Sequence, residues 1–367
     1  MIKLKKSITM LVLLVIIITG FAGCQRNKRN EYSKFSAGFF DTFDTLTQVV
    51  GYAKSQEEFD AYIDQIHERF LELHKLYNKY NDYEGINNIK TINDHAGIKP
   101  VKVQKEIIDL LVFAKDWNER TNGKTNIAMG SVLEIWHDYR DDGIDNPENA
   151  KLPPMEALME AKKYTDINKV IVDIENSTVY LEDEPMRLDV GAIAKGFATE
   201  IIAKEIMLEG FRSGIICPGG NIRALDKPLD GVRERWGIGI QDPDKFIATD
   251  GDNVLDTIFL NNASVVSSGD YQRYYIVEGK VIHHLIDPTT LMPGEYFRAV
   301  TVLTEDSGIA DFMSTTLFLM SYEDGKALIE KVGGIEAVWV MHDGSIQATE
   351  GMKNIMKSNG ATGAKAK

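Results

Sequence analysis

Cysteine is nearly missing, with two in 367 residues. That count excludes a disulfide framework and a four-cysteine zinc site. Basic charge is also short: 41 Lys and Arg stand against 55 Asp and Glu, for a formal net charge of −14. Nonspecific nucleic-acid binding needs an excess of cations to displace counterions, so no nucleic-acid partner is expected. The apolar run over residues 8–21 falls short of the roughly 20 residues a membrane-spanning helix requires. Neither a Walker-type phosphate loop nor a Gly-x-Ser-x-Gly nucleophile elbow occurs, and Ser267-Ser268-Gly269-Asp270 does not supply one. What remains, 44% hydrophobic and 26% charged residues, is the composition of an ordinary globular protein with ample core. The length permits one large domain or two subdomains.

The start of the chain addresses the compartment. Lys3, Lys5 and Lys6 precede the apolar run, and Ala22-Gly23 precede Cys24. A basic start, a short apolar stretch and small residues read as a secretory signal. The segment resembles a bacterial lipobox, which implies cleavage before Cys24, lipidation of its sulfur and an extracytoplasmic protein anchored at the outer face of the cytoplasmic membrane. The alternative is an uncleaved anchor with a chance cysteine. Removing residues 1–23 takes away three lysines and no acidic residue, so the remainder is more acidic still. We expect a polar tether over 24–38, whose Lys and Arg favour anionic headgroups, a folded domain over 39–355 and a flexible tail over 356–367.

Patterning predicts a first strand over 39–52, rich in β-branched and aromatic residues. Phe59, Ile63, Ile66, Phe70, Leu73 and Leu76 repeat at helical spacing, predicting a helix over 55–77. His67 and His74 fall on it without an acidic or cysteine partner at ligand spacing and read as surface or packing residues. Residues 78–93 look like a loop, 104–120 a helix, 138–154 an acidic loop and 155–163 a short helix. A hairpin is expected over 170–181, turning at Glu175-Asn176-Ser177, then a strand over 186–190 and a helix over 193–210. Further strands are expected over 214–217, 236–241, 254–260, 274–277 and 299–304, then a helix over 310–320 and a last strand over 337–341. Helices and hairpins cluster rather than alternate strictly, so the class is α+β: mixed sheets with flanking helices.

Three segments can carry chemistry. In Asp189-Val190-Gly191-Ala192-Ile193-Ala194-Lys195-Gly196 a strand ends in a carboxylate, and a small-residue turn opens a helix. Amides at such a turn suit phosphate and Lys195 adds a cation, although Asp189 capping the helix explains the pattern equally well. In His283-His284-Leu285-Ile286-Asp287-Pro288 an imidazole can stand beside a substrate, or both histidines can be surface residues at a strand end. In Ala310-Asp311-Phe312-Met313-Ser314-Thr315, Asp311 and Thr315 share one helix face. A carboxylate and a hydroxyl suit Mg²⁺, or else a first-turn carboxylate and a threonine bonded back along the helix. Cys217 reads as a small core residue.

Taken in order, these segments resemble the FAD:protein FMN transferase (ApbE) family. Matching residues include Asp189–Gly196, Gly219-Gly220-Asn221, Tyr271-Gln272-Arg273-Tyr274, His284–Thr290 and Ala310–Thr315. Looser matches are Phe43-Asp44-Thr45, Tyr80 and the stretch from Asn122 to Trp136. The resemblance spans roughly residues 39–345. It implies a T-fold-like catalytic domain, as one unit or as two subdomains with the FAD site between them. It implies Mg²⁺-dependent transfer of FMN from FAD to a threonine hydroxyl of a target flavoprotein, with release of AMP. The acceptor would carry a Ser/Thr-Gly-Ala-Thr-like sequence. By position, Phe43, Tyr80, Thr125, Asn126, Asp189, Lys195 and Ile286 look like FAD contacts. The Ala192 carbonyl, Asp311 and Thr315 look like the metal site, and His284 a base or a positioning group for the flavin. An FAD pyrophosphatase or a non-catalytic flavin-binding lipoprotein would use the same residues. Two departures stand out: Phe43-Asp44-Thr45 where relatives often carry Met-Gly-Thr, and Thr290-Leu291 where many have Thr-Gly. The tail's Asn359-Gly360-Ala361-Thr362 resembles the acceptor sequence itself, making Thr362 a candidate for self-modification.

Overall fold

The computed structural model describes residues 31–245 and 253–365. The expected signal segment, Cys24 and the first part of the tether lie outside them. The described residues open with a hairpin of β1 (Ser33–Thr42) and β2 (Thr45–Ala53). One long strand was expected here. Phe43 and Asp44 instead take φ of 52° and 51° and form a two-residue turn, with Thr42 paired to Thr45. Left-handed φ at both central residues marks a turn whose twist suits a hairpin, although neither residue is glycine. Because β1 begins at Ser33, the end of the expected tether is paired backbone.

Helix α1 (Gln56–Tyr77) starts where the Ser55 side chain accepts from the Glu58 amide, and it buries Phe59, Ile66, Phe70 and Leu73. Next come α2 (Ile89–Asp94), β3 (Val101–Lys102), α3 (Lys105–Arg120), α4 (Gly130–Asp145) and α5 (Met155–Lys162). Helix α4 fills the first part of the expected acidic loop. Its last turns put Asp138, Asp141 and Asp142 outside, while Val132 and Trp136 bury its other face. Strands β4 (Val170–Asp173) and β5 (Thr178–Leu181) form the expected hairpin beside β3. Residues 186–190 are extended but pair with no strand. The Asn93 side chain brackets Leu188 at 2.7 and 3.0 Å, and the Asp189 amide donates to the Ile127 carbonyl at 2.8 Å.

The second half contains α6 (Ala194–Leu208), β6 (Gly214–Pro218), β7 (Ile222–Leu225), β8 (Trp236–Gln241), β9 (Val254–Leu260) and β10 (Ala263–Gly269). It continues with β11 (Tyr274–Val277), β12 (Lys280–His283), β13 (Ala299–Thr304), α7 (Ser307–Phe318), α8 (Tyr322–Val332), β14 (Glu336–Val340), β15 (Ile346–Ala348) and α9 (Glu350–Lys353). Eight strands form one antiparallel sheet in the order β1-β2-β6-β7-β10-β13-β14-β15. The two faces of this sheet carry different cores. On one, Val49, Ile216, Val266 and Val302 meet Phe59, Phe70, Ile202 and Phe312 of the helices. On the other, Tyr52, Val265 and Val338 meet Trp236, Ile238 and Ile258 of the β8–β9 ribbon. A strand covered on both sides loses its polar alternation, which is why Ser264-Val265-Val266 in β10 gives no period-two signal.

The fold is α+β, as expected. The described residues from Tyr32 onward cluster as one compact unit. The tail is docked rather than loose through Lys365. The Ser358 hydroxyl donates to Asp256, the Glu234 amide donates to the Gly363 carbonyl at 2.8 Å, and Arg233 pairs with Ala364.

Candidate functional site

Helices α6 and α7 cross at Gly196. A Cβ there would lie 2.4 Å from Asp311 Cβ and 2.3 Å from the Ser307 carbonyl oxygen, so only glycine permits the approach. The contact brings the Gly196 amide to Asp311 Oδ2 at 2.8 Å. Asp311 is buried, and burial raises its pKa above the ordinary carboxylate value against the pull of Lys195, the Gly196 amide and Arg273. Thr315 follows one turn later on the same face, also buried. Beneath them Ser314 Oγ meets Ser268 Oγ at 2.8 Å, tying α7 to β10.

A cavity of about 740 Å³ opens beside this crossing. Its wall includes Phe43, Tyr80, Thr125, Asn126, Asp189, Lys195 and Ile286, the positions marked as FAD contacts. It also includes Ala192, Asp311 and Thr315, the positions marked for metal, and His284. Among the described residues none beyond Leu319 lines it, and the Gly363 carbonyl, next to Thr362, accepts from the Glu234 amide beside the β8–β9 ribbon.

Not every marked side chain is free to act. Thr125 Oγ1 meets Thr316 Oγ1 at 2.8 Å, pinning its loop to α7. Asn126 Oδ1 accepts from the Ala128 amide and its Nδ2 donates to the Thr165 carbonyl, both at 2.9 Å. Tyr80 is 60% exposed and flanks the mouth. The Phe43 amide donates to His74 Nδ1 at 3.0 Å, so His74, which sequence assigned to surface or packing, holds the hairpin tip in the wall. His67 finds an acidic partner that helix spacing could not reveal: Asp41 of β1, at 2.8 Å.

His283 and His284 differ. His283 is buried, with Nε2 at 2.9 Å from the Gly294 carbonyl and Nδ1 accepting the Leu285 amide; it is structural. His284 Nδ1 lies 3.2 Å from the Gln272 carbonyl, which can only accept, so Nδ1 carries the proton and Nε2 the lone pair. Burial, then the charges of Arg273, His283 and Lys195, pushes its pKa down to about 3, so the ring is neutral at pH 7. Among the described residues neither Lys195 nor Arg273 forms an ion pair, and both face the cavity, as anion-binding cations would. Arg273 is held at φ 48°, a costly backbone state that clusters at functional sites. Among the described residues the buried amide nitrogen of cavity-lining Asn221 finds no partner.

Sequence reasoning missed Lys79 and His137. Lys79 Nζ is 2.7 Å from Asp189 Oδ2 and 3.1 Å from His137 Nδ1. Burial opposes ionisation of Asp189, but Lys79, His137 and the Gly191 amide hold its pKa below the ordinary value. Burial and Lys79 push His137 down to about 4. Nothing periodic marks Lys79, which sits in an Asn-rich loop. Both departures from the family pattern keep glycine-like backbone: Asp44 at φ 51° and buried Leu291 at φ 63°. Cys217 lies in β6, half-buried, with its thiol pKa raised by burial.

The family model described as the ApbE family matches residues 42–339. An FAD:protein FMN transferase of Treponema pallidum is 31% identical over 276 residues, covering 72% of this chain and 73% of that protein. One of Klebsiella pneumoniae is 29% identical over 271 residues, covering 72% and 80%. The crystal structure of an ApbE protein of Thermotoga maritima matches with a TM-score of 0.75 at 28% identity, covering 88% of this chain and 99% of that one. The flavin transferase ApbE of Vibrio cholerae matches with a TM-score of 0.72 at 22% identity, a likeness of fold.

Proposed function

The chain belongs to the ApbE family, and from that premise we propose that it transfers FMN from FAD to a threonine hydroxyl of an extracytoplasmic flavoprotein, releasing AMP. The observation that carries this reading is the gathering of Asp189, Lys195, His284, Asp311 and Thr315, from distant parts of the chain, into one cavity wall.

In the reaction the threonine Oγ–P bond forms, the P–O bond to AMP breaks, and the hydroxyl proton must leave. His284 offers an unprotonated Nε2 to accept the hydroxyl hydrogen bond and so position the nucleophile. Its pKa, pushed down to about 3 by burial and by the charges of Arg273, His283 and Lys195, makes it a weak base in the free protein, and the negative charge of a bound pyrophosphate would have to raise it before the ring took the proton. Lys195, Arg273 and the orphaned amide of Asn221 offer donors to the pyrophosphate oxygens. Leu285, Ile286 and Val266 in the wall help exclude water, the competing nucleophile.

A divalent ion fits the oxygen set. Among the described residues no three His, Cys, Asp or Glu side chains group to hold a metal, which disfavours zinc. Hard oxygen donors, a carboxylate, a hydroxyl and a backbone carbonyl, are what Mg²⁺ uses, with substrate phosphates completing its shell, and Asp311, Thr315 and Ala192 all line this cavity. Asp311, Thr315 and the Ala192 carbonyl would hold it. Bound there, the ion would neutralise charge on the phosphates and orient the phosphorus.

The test is incubation with FAD, Mg²⁺ and a protein carrying a Ser/Thr-Gly-Ala-Thr-like sequence. The expected result is fluorescent acceptor with the mass of one FMN added at threonine, and AMP in equal amount. Free FMN and AMP with no acceptor labelling would assign a pyrophosphatase; FAD binding without turnover would leave a flavin-binding lipoprotein. The anchor rests on Cys24 and is tested apart: Cys24→Ser releases the protein from the membrane fraction, and an unchanged distribution refutes lipidation there.

A further inference from the structure

Lys79 has no part in the chemistry above, yet it joins three cavity-lining residues. Its ammonium contacts Asp189 Oδ2 and His137 Nδ1 and lies 4.8 Å over the centre of the Tyr80 ring. The Gly191 amide holds the other carboxylate oxygen at 2.9 Å, so Asp189 is gripped at both ends. The pair is secluded, with Lys79 15% exposed and Asp189 8%. An ammonium only donates, so His137 accepts at Nδ1 and carries its proton on Nε2.

We propose that Lys79 is a positioning residue of the FAD site, holding Asp189 as a fixed anionic acceptor for an N–H edge of the FAD ring systems and seating Tyr80 beside it. The inference rests on the reading of Asp189 and Tyr80 as FAD contacts. A secluded carboxylate without a cation takes up a proton, and one of its oxygens then becomes a donor that opposes an N–H edge. Tyr80, exposed at the mouth, has the Lys79 ammonium on its face to define its orientation. The titratable groups facing Asp189 are Lys79 and His137, and His137 is faced in turn by Arg140 and Asp141.

The experiment measures FAD affinity by flavin fluorescence and the transfer kinetics of the wild-type chain, Lys79→Met, Lys79→Arg, Asp189→Asn and the Lys79→Met/Asp189→Asn double variant. Lys79→Met should raise both Kd and KM for FAD by about 10–100-fold, with kcat within about threefold. Its Kd should worsen further from about pH 8 to about pH 6, where wild type stays flat, because Asp189 then binds a proton in the free protein. Lys79→Arg should restore most of the affinity. In the Asp189→Asn background, which removes the charge Lys79 serves, Lys79→Met should add little; that variant also carries the test if the single one fails to fold. The proposal is overturned if Lys79→Met binds FAD as wild type does. A uniform loss at every pH with no rescue by arginine, or additive effects of the two substitutions, overturns it as well. Wild-type protein that binds no FAD instead refutes the function on which it rests.

Discussion

Replacing Gly196 by alanine tests whether the α6–α7 crossing sets the site. The added carbon would lie 2.4 Å from Asp311 Cβ and 2.3 Å from the Ser307 carbonyl oxygen. Carbon atoms rest at about 3.5–4.0 Å, so the helices must separate by about 1 Å. Overpacking of this kind costs roughly 1–3 kcal/mol, which for a domain of this size lowers Tm by about 1–4 °C. The larger effect falls on Asp311, whose carboxylate is carried on the displaced face. A 1 Å misplacement costs about 10²-fold in rate, or about 2.7 kcal/mol of barrier. Gly231→Ala is the contrast. Its φ is 76° and nothing lies within 4 Å, so backbone strain should cost about 1 kcal/mol with no change in transfer. Thermal melts and initial rates of acceptor fluorescence read both quantities. A Gly196→Ala protein with wild-type Tm and wild-type rate would refute the reasoning.

Asp311→Asn should keep the fold and lose Mg²⁺-dependent transfer by at least about 10²-fold in single-turnover assays, because the carboxylate that offsets the ion's charge is gone; retained Mg²⁺ stimulation would count against the metal assignment. Glu200 and Arg223 form a buried pair at 3.0 Å, and Glu200 also accepts the Ser307 amide at the start of α7. Glu200→Ala strands that arginine and should destabilise the protein by roughly 3–5 kcal/mol in urea titrations, whereas a loss under about 1 kcal/mol would show the pair to be dispensable. His137 titrates near 4 when folded and near the ordinary value of about 6.5 when unfolded, so the unfolded chain takes the proton first as pH falls. Stability is thus complete above about pH 6.5 and drops by about 1.4 kcal/mol per unit below it, down to about pH 4. His137→Gln should flatten this slope in melts between about pH 7 and about pH 5, and an unchanged slope would contradict the shift.

The helices were the most legible part of the fold. In α1, six apolar positions at helical spacing gave the element almost to the residue. Strands β3, β7, β10, β12 and β15 were not legible, because short or doubly covered strands carry no alternation. The hairpin tip at Phe43-Asp44 was hidden because neither residue announces left-handed backbone as glycine would. Helix α8 is legible too, from a capping serine, Ser321, and apolar residues at helical spacing. For the site, family resemblance marked positions that converge on one wall, while the residues alone left each segment ambiguous. Lys79 escaped both routes: its role depends on Asp189 and His137 meeting it in space, and sequence neighbours say nothing of that.

The strand order of the large sheet has a consequence for how the protein comes into being. Strand β2 waits for β6, and β10 waits for β13, so the sheet cannot close until most of the chain has been made. The wall of the cavity runs in sequence from Phe43 to Leu319, so no early fragment owns a complete pocket. A polypeptide threaded across a membrane in extended form would therefore arrive without a flavin nucleotide aboard and acquire it only at its destination. Under the export proposed above, FAD would have to be supplied on that side.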